Sequence, residues 1–348
     1  MTTMTEDLDR VTVGIDTHRD VHVAAVLNDQ GRLLGSESFS TTAPGHRRLQ
    51  RWAERFGTID AVGVEGTGAW GAGLSRHFTA QGYRVIEVDR PDRKTRRQHG
   101  KSDTIDAEAA ARAVQAGTAT GTPKTRTGPI EAIRALRVAR RSALKARSQA
   151  AHQLHSLVST APDELRDQLR VHKIAALVTH AARFRPGDPT NPTNATKIAM
   201  RSIARRHQQL SDELDELDTH LDRLVAQTAP NLLALHGVGT DVAGQLLVTA
   251  GDNPHRLHSD AAFSHLCGTS PIPASTGRTN RHRLNRAGDR QANAALYRIA
   301  LCRLRWDPRT RHYMQRRTQQ GLTKPEIIRC LKRYIAREIH HELTHLPT

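Results

Sequence analysis

The order of the predicted elements between residues 10 and 117 limits the fold more than any other feature. Alternating apolar residues and turn residues predict three consecutive strands, after which helices and strands alternate. The predicted strands are 11–16, 21–29, 31–40, 59–66 and 83–89, and the predicted helices are 45–57, 69–82 and 103–117. Two hairpins before the first helix predict a mixed sheet with flanking helices. They argue against a Rossmann unit, which begins strand–helix–strand.

Three hairpin-linked strands followed by this alternation are the element order of a ribonuclease-H-like domain. We therefore expect residues 1–125 to form an α/β domain of that class. In such a sheet the first and fourth strands are neighbours. Their carboxyl ends then lie together with the start of the helix that follows the fifth strand.

The rest of the chain is predicted to be mostly helical, in two parts that meet near residue 228. Residues 126–227 carry two long helical patterns, at 130–160 and 197–227, around a proline-rich break. They predict an antiparallel helical pair or coiled coil, either an internal hairpin or an arm for dimerisation or for gripping nucleic acid. Residues 228–348 include "LLALHGVGTDVAGQLLVTAGD", which is similar to a helix-hairpin-helix whose turn can present backbone N–H groups to a phosphate.

The charge of the chain favours polyanions as partners. The formal net charge is +17. Lys and Arg outnumber Asp and Glu by 17 to 16 in residues 1–125, by 17 to 11 in 126–225, and by 18 to 8 in 226–348. A nearly neutral first part and a basic last part indicate chemistry at one end and nucleic-acid binding at the other.

Four carboxylates fall at the ends of predicted elements in the first domain. Asp16 ends the first strand, Glu65 ends the fourth, and Asp103 and Asp106 share one face at the start of the helix after the fifth. Ionised carboxylates this close need a compensating cation, and Mg²⁺ prefers carboxylate oxygens together with water and phosphate. The set predicts a site for Mg²⁺ or Mn²⁺ that acts in phosphoryl transfer. Taken singly, Asp16 could be a turn residue and Asp103 a helix N-cap.

Neither the cysteines nor the histidines predict a zinc site. The three cysteines are far apart along the chain, which also argues against a disulfide framework. His18 follows Asp16 by two residues, and a surface position is favoured for it over a place beside the cation. No apolar run reaches transmembrane length and no signal peptide is recognisable, so we expect a cytoplasmic protein without membrane contact.

Three segments carry a family resemblance: "VGIDTHRDVHVAAVLNDQG", "VEGTGAWG" and "GKSDTIDAEAAARA". In this order they resemble the Asp-Glu-Asp-Asp signature of the RuvC-like domain in DEDD-class insertion-sequence transposases, the IS110 family, which includes Piv-type DNA invertases. Later segments, "HGVGTDVAGQLL", "FSHLCGTSPIPASTG" and "NRAGDRQANAALYRIA", extend the resemblance over nearly the whole chain. It implies a DNA transposase or site-specific recombinase of a bacterial insertion sequence. Its catalytic metal ligands would be Asp16, Glu65, Asp103 and Asp106.

The resemblance also implies a serine nucleophile in a C-terminal loop. The loop reads "CGTSPIPASTGRT", and Ser275 and Thr276 precede Gly277. The family pattern often puts serine directly before the glycine, where this chain has Thr276. Ser275 is preferred because a primary hydroxyl is less hindered, Thr276 is the alternative, and Ser270 is the third candidate. The implied active site combines this hydroxyl with the metal cluster, from one subunit or from two.

The segment after this loop is dense in arginine. Residues 278–317 contain 12 arginines and only two carboxylates. Arginine binds phosphate through paired hydrogen bonds, and the low aromatic content favours contact with a duplex or folded-RNA backbone over base stacking. The candidate nucleic-acid-binding residues, here and in the basic run before the third helix, are Lys94, Arg96, Arg97, Lys101, Arg278, Arg281, Arg283, Arg286 and Arg290.

The implied partners are double-stranded DNA at the element ends and target, a structured bridge RNA that guides the reaction, and further copies of the chain in a dimer or tetramer. The bridge RNA follows from the family resemblance alone. Two other functions agree with the same residues. One is a RuvC-like junction nuclease that uses metal and water without a covalent intermediate, and the other is a non-catalytic nucleic-acid-binding protein.

Overall fold

The structure is a computed structural model that describes residues 10–89, 102–278 and 282–346. The chain divides into two compact units, residues 1–127 with 251–258, and residues 128–250 with 259–348. The division into three parts, with boundaries after residues 125 and 227, stays a prediction.

The first unit is built on a five-stranded mixed sheet. Its strands, in the sheet order β3-β2-β1-β4-β5, are β1 (Arg10–Thr17), β2 (Val21–Asn28), β3 (Leu33–Ser40), β4 (Thr58–Glu65) and β5 (Val85–Val88). β1 pairs antiparallel with β2 and parallel with β4. β2 and β3 are antiparallel, whereas β4 and β5 are parallel. The predicted mixed sheet and the adjacency of the first and fourth strands are confirmed.

Helices cover both faces of this sheet. Those in the described part of the unit are α1 (Ala43–Glu54), α2 (Ala72–Ala80) and α3 (Asp103–Gln115). α1 and α2 pack on one face over a core that includes Leu49, Trp52 and Phe78. Successive residues of a strand point to opposite faces. Ile15 of β1 belongs to that core, so its neighbour Asp16 lies on the opposite face, which α3 covers.

α3 lies directly on β1 because glycine leaves room for its backbone. Gly14 of β1 and Gly63 of β4 are paired in register. A Cβ at Gly14 would lie 2.1 Å from the carbonyl oxygen of Ala107 and 2.3 Å from the backbone nitrogen of Ala111. A larger residue at Gly14 would therefore push α3 away from the strand that carries Asp16.

The last residues of the first unit before the long helices are held by a segment from far along the chain. The buried Asn253 side chain donates a hydrogen bond to the Pro123 carbonyl at 3.0 Å and accepts one from the Thr125 backbone nitrogen at 3.3 Å. Residues 251–258 thereby belong to this unit. Nothing in the sequence pattern indicated this.

The second unit is mostly helical. In its described residues the helices are α4 (Pro129–Ser159), α5 (Asp163–Leu169), α6 (Ile174–Ala182), α7 (Pro192–Thr228), α8 (Pro230–Ala234), α9 (Thr240–Ala250), α10 (Asp260–Leu266), α11 (Arg290–Trp306), α12 (Pro308–Gln319) and α13 (Lys324–Thr344). A short antiparallel hairpin joins β6 (Ile272–Pro273) to β7 (His282–Arg283). Among the residues that the structure describes, no helix is long and apolar enough to cross a membrane.

The two long helices, α4 and α7, pack against each other in opposite directions. Arg140 of α4 forms an ion pair with Asp218 near the end of α7, whereas Gln153 accepts a hydrogen bond from Arg206 in the middle of α7 at 2.8 Å. The two long helices thus form an antiparallel pair within one chain. A role for the pair in dimerisation or in gripping nucleic acid stays a prediction.

α8 and α9 lie on either side of the Gly-x-Gly turn that resembles a helix-hairpin-helix in sequence. Gly237 in the turn has a φ of +82°, a conformation that favours glycine. The proposed contact of this turn with a phosphate stays a prediction.

Candidate active site

The first turn of α3 presents two carboxylates beside the end of β1. Ser102 is the N-cap of α3, and its Oγ accepts a hydrogen bond from the Ile105 backbone nitrogen at 3.3 Å. Asp103 and Asp106 both belong to the first turn that follows. The alternative that Asp103 serves as the N-cap is therefore wrong, because Ser102 has that role.

The carboxylates of Asp16 and Asp103 meet at the imidazole of His18. His18 Nε2 lies 3.1 Å from Asp16 Oδ2 and 3.3 Å from Asp103 Oδ1. One ligand atom from each of the three residues lies within 4.8 Å of the others. His18 is a surface residue, as favoured from the sequence, with its side chain 46% exposed, and its ring also contacts both carboxylates.

Burial makes it costly to ionise all four predicted carboxylates, Asp16, Glu65, Asp103 and Asp106, which we call the acidic cluster. Asp16, Glu65 and Asp106 are each 6% exposed. Burial raises the pKa of Asp16 above its ordinary value; His18 opposes this, whereas Asp106 and Asp103 reinforce it. A buried carboxylate beside two others is stabilised by a divalent cation, and the donor set of carboxylates with one imidazole fits such a cation.

Glu65 ends β4, the strand next to β1. It directly follows Val64, which pairs in register with Ile15, and its carbonyl accepts a hydrogen bond from Thr17 Oγ1 at 2.7 Å. The structure thus brings Asp16 and Asp103 together at His18, places Asp106 near enough to Asp16 to raise its pKa, and places Glu65 at the adjacent strand end. The role of the four predicted residues as metal ligands stays a prediction.

Ser275 and Thr276 lie in the loop of the β6–β7 hairpin, which we call the serine hairpin. Both residues are exposed, in the turn that contains Gly277. Ser270 precedes the hairpin, and its Oγ donates a long hydrogen bond to the Ala261 carbonyl at 3.5 Å. The two preferred candidates therefore share one exposed loop, and Ser270 lies outside it.

The base of the serine hairpin is fixed by residues distant in sequence. The Asn293 amide donates to the carbonyls of Cys267 and Gly268 at 2.9 and 3.1 Å, and its oxygen accepts from Lys332 at 2.8 Å. A Cβ at Gly288 would lie 2.3 Å from the Gly268 nitrogen. This close packing gives the exposed loop a rigid support.

Four of the nine predicted nucleic-acid-binding residues can be located. Arg278, Arg283, Arg286 and Arg290 are exposed, and none pairs with a carboxylate within the described residues. The other five lie outside the described residues: Lys94, Arg96, Arg97, Lys101 and Arg281. Uncompensated arginines around the serine hairpin are suited to phosphate contacts.

Two protein-family models match the chain. One, a transposase model of the DEDD IS110 type, matches residues 13–161, and the other, described as the transposase IS116/IS110/IS902 family, matches residues 229–315. The chain belongs to the IS110 family of transposases. The first match contains all four predicted carboxylates and the second contains the serine hairpin, so both sites lie in segments that define IS110 transposases.

Individual relatives agree with this assignment. The transposase of insertion sequence element IS1328 from Yersinia enterocolitica is 26% identical over 259 residues, covering 71% of this chain and 69% of the relative. An IS110 insertion element protein of 43.6 kDa from Streptomyces coelicolor is 28% identical over 145 residues, covering 40% of this chain and 35% of that protein. Membership of the IS110 family indicates an enzyme that acts on DNA.

Among solved structures, the fowlpox virus Holliday junction resolvase aligns with 31% of this chain and 98% of its own. The sequence identity is 13% and the TM-score 0.24. A TM-score this low supports no statement about fold or function.

Two features of these sites were not expected from the sequence. The contact of His18 with both Asp16 and Asp103 depends on side-chain orientation, and only the two-residue spacing from Asp16 hinted at it. The anchoring role of Asn293 depends on carbonyls 25 and 26 residues earlier. No local pattern marks an asparagine as the support of a distant loop.

Proposed function

We propose that this IS110-family protein cuts and rejoins DNA by metal-dependent phosphoryl transfer, as the transposase of an insertion sequence. The observation that carries the proposal is the meeting of buried Asp16 with Asp103 and Asp106, where β1 ends and α3 begins. A phosphodiester would add further negative charge here, which a divalent cation compensates. The strand order supports the further proposal that the first unit is a ribonuclease-H-like nuclease domain.

Asp16, Glu65, Asp103 and Asp106 are the residues that would hold Mg²⁺ or Mn²⁺, with His18 beside them. Carboxylate oxygens are the ligands that both cations prefer. Such a cation, when bound, stabilises charge on the phosphate oxygens during displacement. The protein's own contribution is to hold the carboxylates on the sheet and helix ends and to orient them through the contacts of His18.

Ser275 is the proposed nucleophile, with Thr276 as the alternative. In the proposed step, the side-chain oxygen bonds to phosphorus while the bond from phosphorus to one deoxyribose oxygen breaks. The hydroxyl proton leaves to a base or to solvent, and the released deoxyribose oxygen takes up a proton. The phosphoserine link conserves the phosphodiester bond energy, so that rejoining needs no external energy source.

A structured guide RNA and further copies of the chain complete the proposed assembly, as a dimer or tetramer. Family membership is the main support for both partners. The exposed arginines around the serine hairpin supply compatible charge for either DNA or RNA.

The proposal is tested by incubating the full chain and its co-purified RNA with Mg²⁺ and DNA that carries the element ends. We expect a covalent protein–DNA adduct on a denaturing gel. Mass spectrometry should map the modified residue to Ser275 or Thr276. Alanine at the modified position should abolish the adduct, whereas Ser270→Ala should retain it.

Two outcomes would contradict this mechanism. Cleavage that persists without an adduct would favour a junction nuclease that uses water as the nucleophile. Recombination that is unchanged in Asp16→Asn would exclude the acidic cluster from the chemistry and favour a non-catalytic binding role.

A further inference from the structure

The last three helices of the second unit carry most of the chain's tyrosines. Three of the four tyrosines, Tyr297, Tyr313 and Tyr334, lie on α11, α12 and α13. Tyr334 is 54% exposed, and its ring meets that of Tyr313 in a T-shaped contact with 5.8 Å between centroids. The pair of Tyr313 and Tyr334, with one ring largely exposed, is typical of a binding surface.

Tyr313 and Tyr334 line a cavity of about 1030 Å³, which we call the aromatic cavity. Arg309 and Arg316 line it too, and the guanidinium carbon of Arg316 lies 5.6 Å from the centre of the Tyr313 ring. Neither arginine pairs with a carboxylate in the part of the chain that the structure describes. Arg303 and Glu338, which pair with each other, and Asp307 also line the cavity, so three arginines face two carboxylates. The cavity therefore combines aromatic rings with a small excess of positive charge, at the upper end of the size range of small-ligand sites.

A second cavity, of about 1140 Å³, shares Tyr334 with the first and lies between the base of the serine hairpin and α13. We call it the cationic cleft, because one carboxylate, Glu326, faces six cations: Arg283, Arg286, Arg329, Lys332, Arg333 and Arg337. Asp260 pairs with Arg333 and Arg337 at 2.9 and 3.0 Å. Arg283 and Arg286 have no carboxylate partner among the described residues, so the cleft keeps a net positive charge.

We infer that an unpaired nucleic-acid strand binds across α13, with its phosphates in the cationic cleft and one base in the aromatic cavity against Tyr334. Arginine holds phosphate, and tyrosine stacks on bases of any sequence. A duplex keeps its bases stacked inside the helix, so none is free to stack on Tyr334. An acidic peptide would pair with the arginines but would leave the tyrosine rings without a partner.

The position of the tyrosines is what the composition did not show. A low aromatic content favoured contact with duplex or folded-RNA backbones, yet these three rings lie on the most basic part of the chain. The chemistry recognised is a base joined to phosphates, which both single-stranded DNA and single-stranded RNA provide. Strand binding requires neither the acidic cluster nor a divalent cation, so the inference stands apart from the phosphoryl-transfer proposal.

The test is fluorescence anisotropy on the full chain, in EDTA, with labelled oligonucleotides of about 12 nucleotides, which lies within known single-strand site sizes. The ligands are oligo-dT, oligo-U, an abasic strand of the same length and a hairpin duplex. The variants are Tyr334→Ala, Tyr334→Phe and the matched control Tyr297→Ala, which removes an exposed tyrosine that lines neither cavity. Circular dichroism melting verifies that each variant is folded.

We expect Tyr334→Ala to weaken single-strand binding by about 5- to 140-fold, the range for loss of one stacked base, with Tyr334→Phe and Tyr297→Ala close to wild type. The abasic strand should bind more weakly than oligo-dT and should be insensitive to Tyr334→Ala. Arg286→Gln should lower the salt dependence of binding, because one phosphate contact is lost. The ratio of oligo-dT to oligo-U affinity identifies the kind of strand.

Three results would overturn the inference. The first is equal binding of the abasic strand and oligo-dT. Binding would then not depend on bases, and the surface would be a general polyanion site that an acidic peptide could also occupy. The second is an equal loss in Tyr297→Ala and Tyr334→Ala. The third is a hairpin duplex that binds as tightly as oligo-dT and loses as much affinity in Tyr334→Ala.

Discussion

Replacing Gly14 by alanine tests whether the contact between β1 and α3 builds the acidic cluster. The new Cβ would lie 2.1 Å from the Ala107 carbonyl oxygen, whereas ordinary van der Waals contact begins at 3.4 Å. The difference between these two distances is about 1.3 Å, and the α3 backbone would have to move by that amount. The new Cβ meets a backbone oxygen, which cannot rotate away as a flexible side chain would. Asp103 and Asp106 would move with the helix and separate from Asp16.

Both stability and activity should fall in this variant. Overpacking of a core by one methyl group costs about 1–3 kcal/mol. Misplacement of catalytic groups by about 1 Å costs about 100-fold in rate. We therefore expect Gly14→Ala to lower the free energy of unfolding in urea by about 1–3 kcal/mol and to slow Mg²⁺-dependent cleavage of element-end DNA by about 100-fold.

Gly73→Ala is the matched control in the same unit. Its Cβ would lie 3.4 Å from His46 Cε1, an ordinary contact, and alanine favours the helical conformation of α2 by up to about 1 kcal/mol. The control should keep full activity. Wild-type stability in Gly14→Ala would refute the close contact of α3 with β1. Lost stability with full activity would refute the claim that this contact positions the cluster.

Two further predictions concern stability. Burial, with His46 nearby, lowers the pKa of His22 to about 4 from 6.5, so the unfolded chain binds a proton that the folded chain does not. The unfolding free energy should therefore fall by up to about 3 kcal/mol as the pH drops from 6.5 to 4. In urea titrations, His22→Phe should reduce this pH dependence. An unchanged pH dependence would contradict the assignment of the effect to His22. Asn293→Ala should lower the unfolding free energy by about 1–3 kcal/mol, because it leaves two backbone carbonyls at the base of the serine hairpin without their donor. Gln291→Ala, on the exposed side of the same helix, should change little, and equal effects of the two substitutions would count against the anchoring role.

The arrangement of the first unit followed from the sequence because its signals are local. Runs of Val and Ile with intervening turns mark strands, and the three opening strands leave few sheet orders. Once β1 and β4 are neighbours, Asp16 and Glu65 must end side by side. The start of α3 was predictable for the same reason, although its N-cap, Ser102, is one residue before the aspartate that was considered for it.

The contacts that were not predictable join residues far apart in the chain. Asn253 binds Pro123 and Thr125 across about 130 residues, and no composition or periodicity marks that pairing. Tyr313 and Tyr334 belong to separate helices and meet only through the packing of those helices. The composition gives the number of aromatic residues but does not indicate their positions in the folded chain.

The measurement that tests the central claim most directly is Mn²⁺ binding to the full chain without nucleic acid. The concentration of free Mn²⁺ is measured by electron paramagnetic resonance. Wild type should bind Mn²⁺ and gain about 2.7 kcal/mol of unfolding free energy at an ion concentration 100 times the Kd. Asp16→Asn should abolish binding, whereas Asp20→Asn, whose side chain is 86% exposed, should bind like wild type. Without the ion, Asp16→Asn should be at least as stable as wild type, because it removes a buried carboxylate that lies beside two others. The absence of binding in wild type, or equal binding in Asp16→Asn, would contradict the acidic cluster as a divalent cation site.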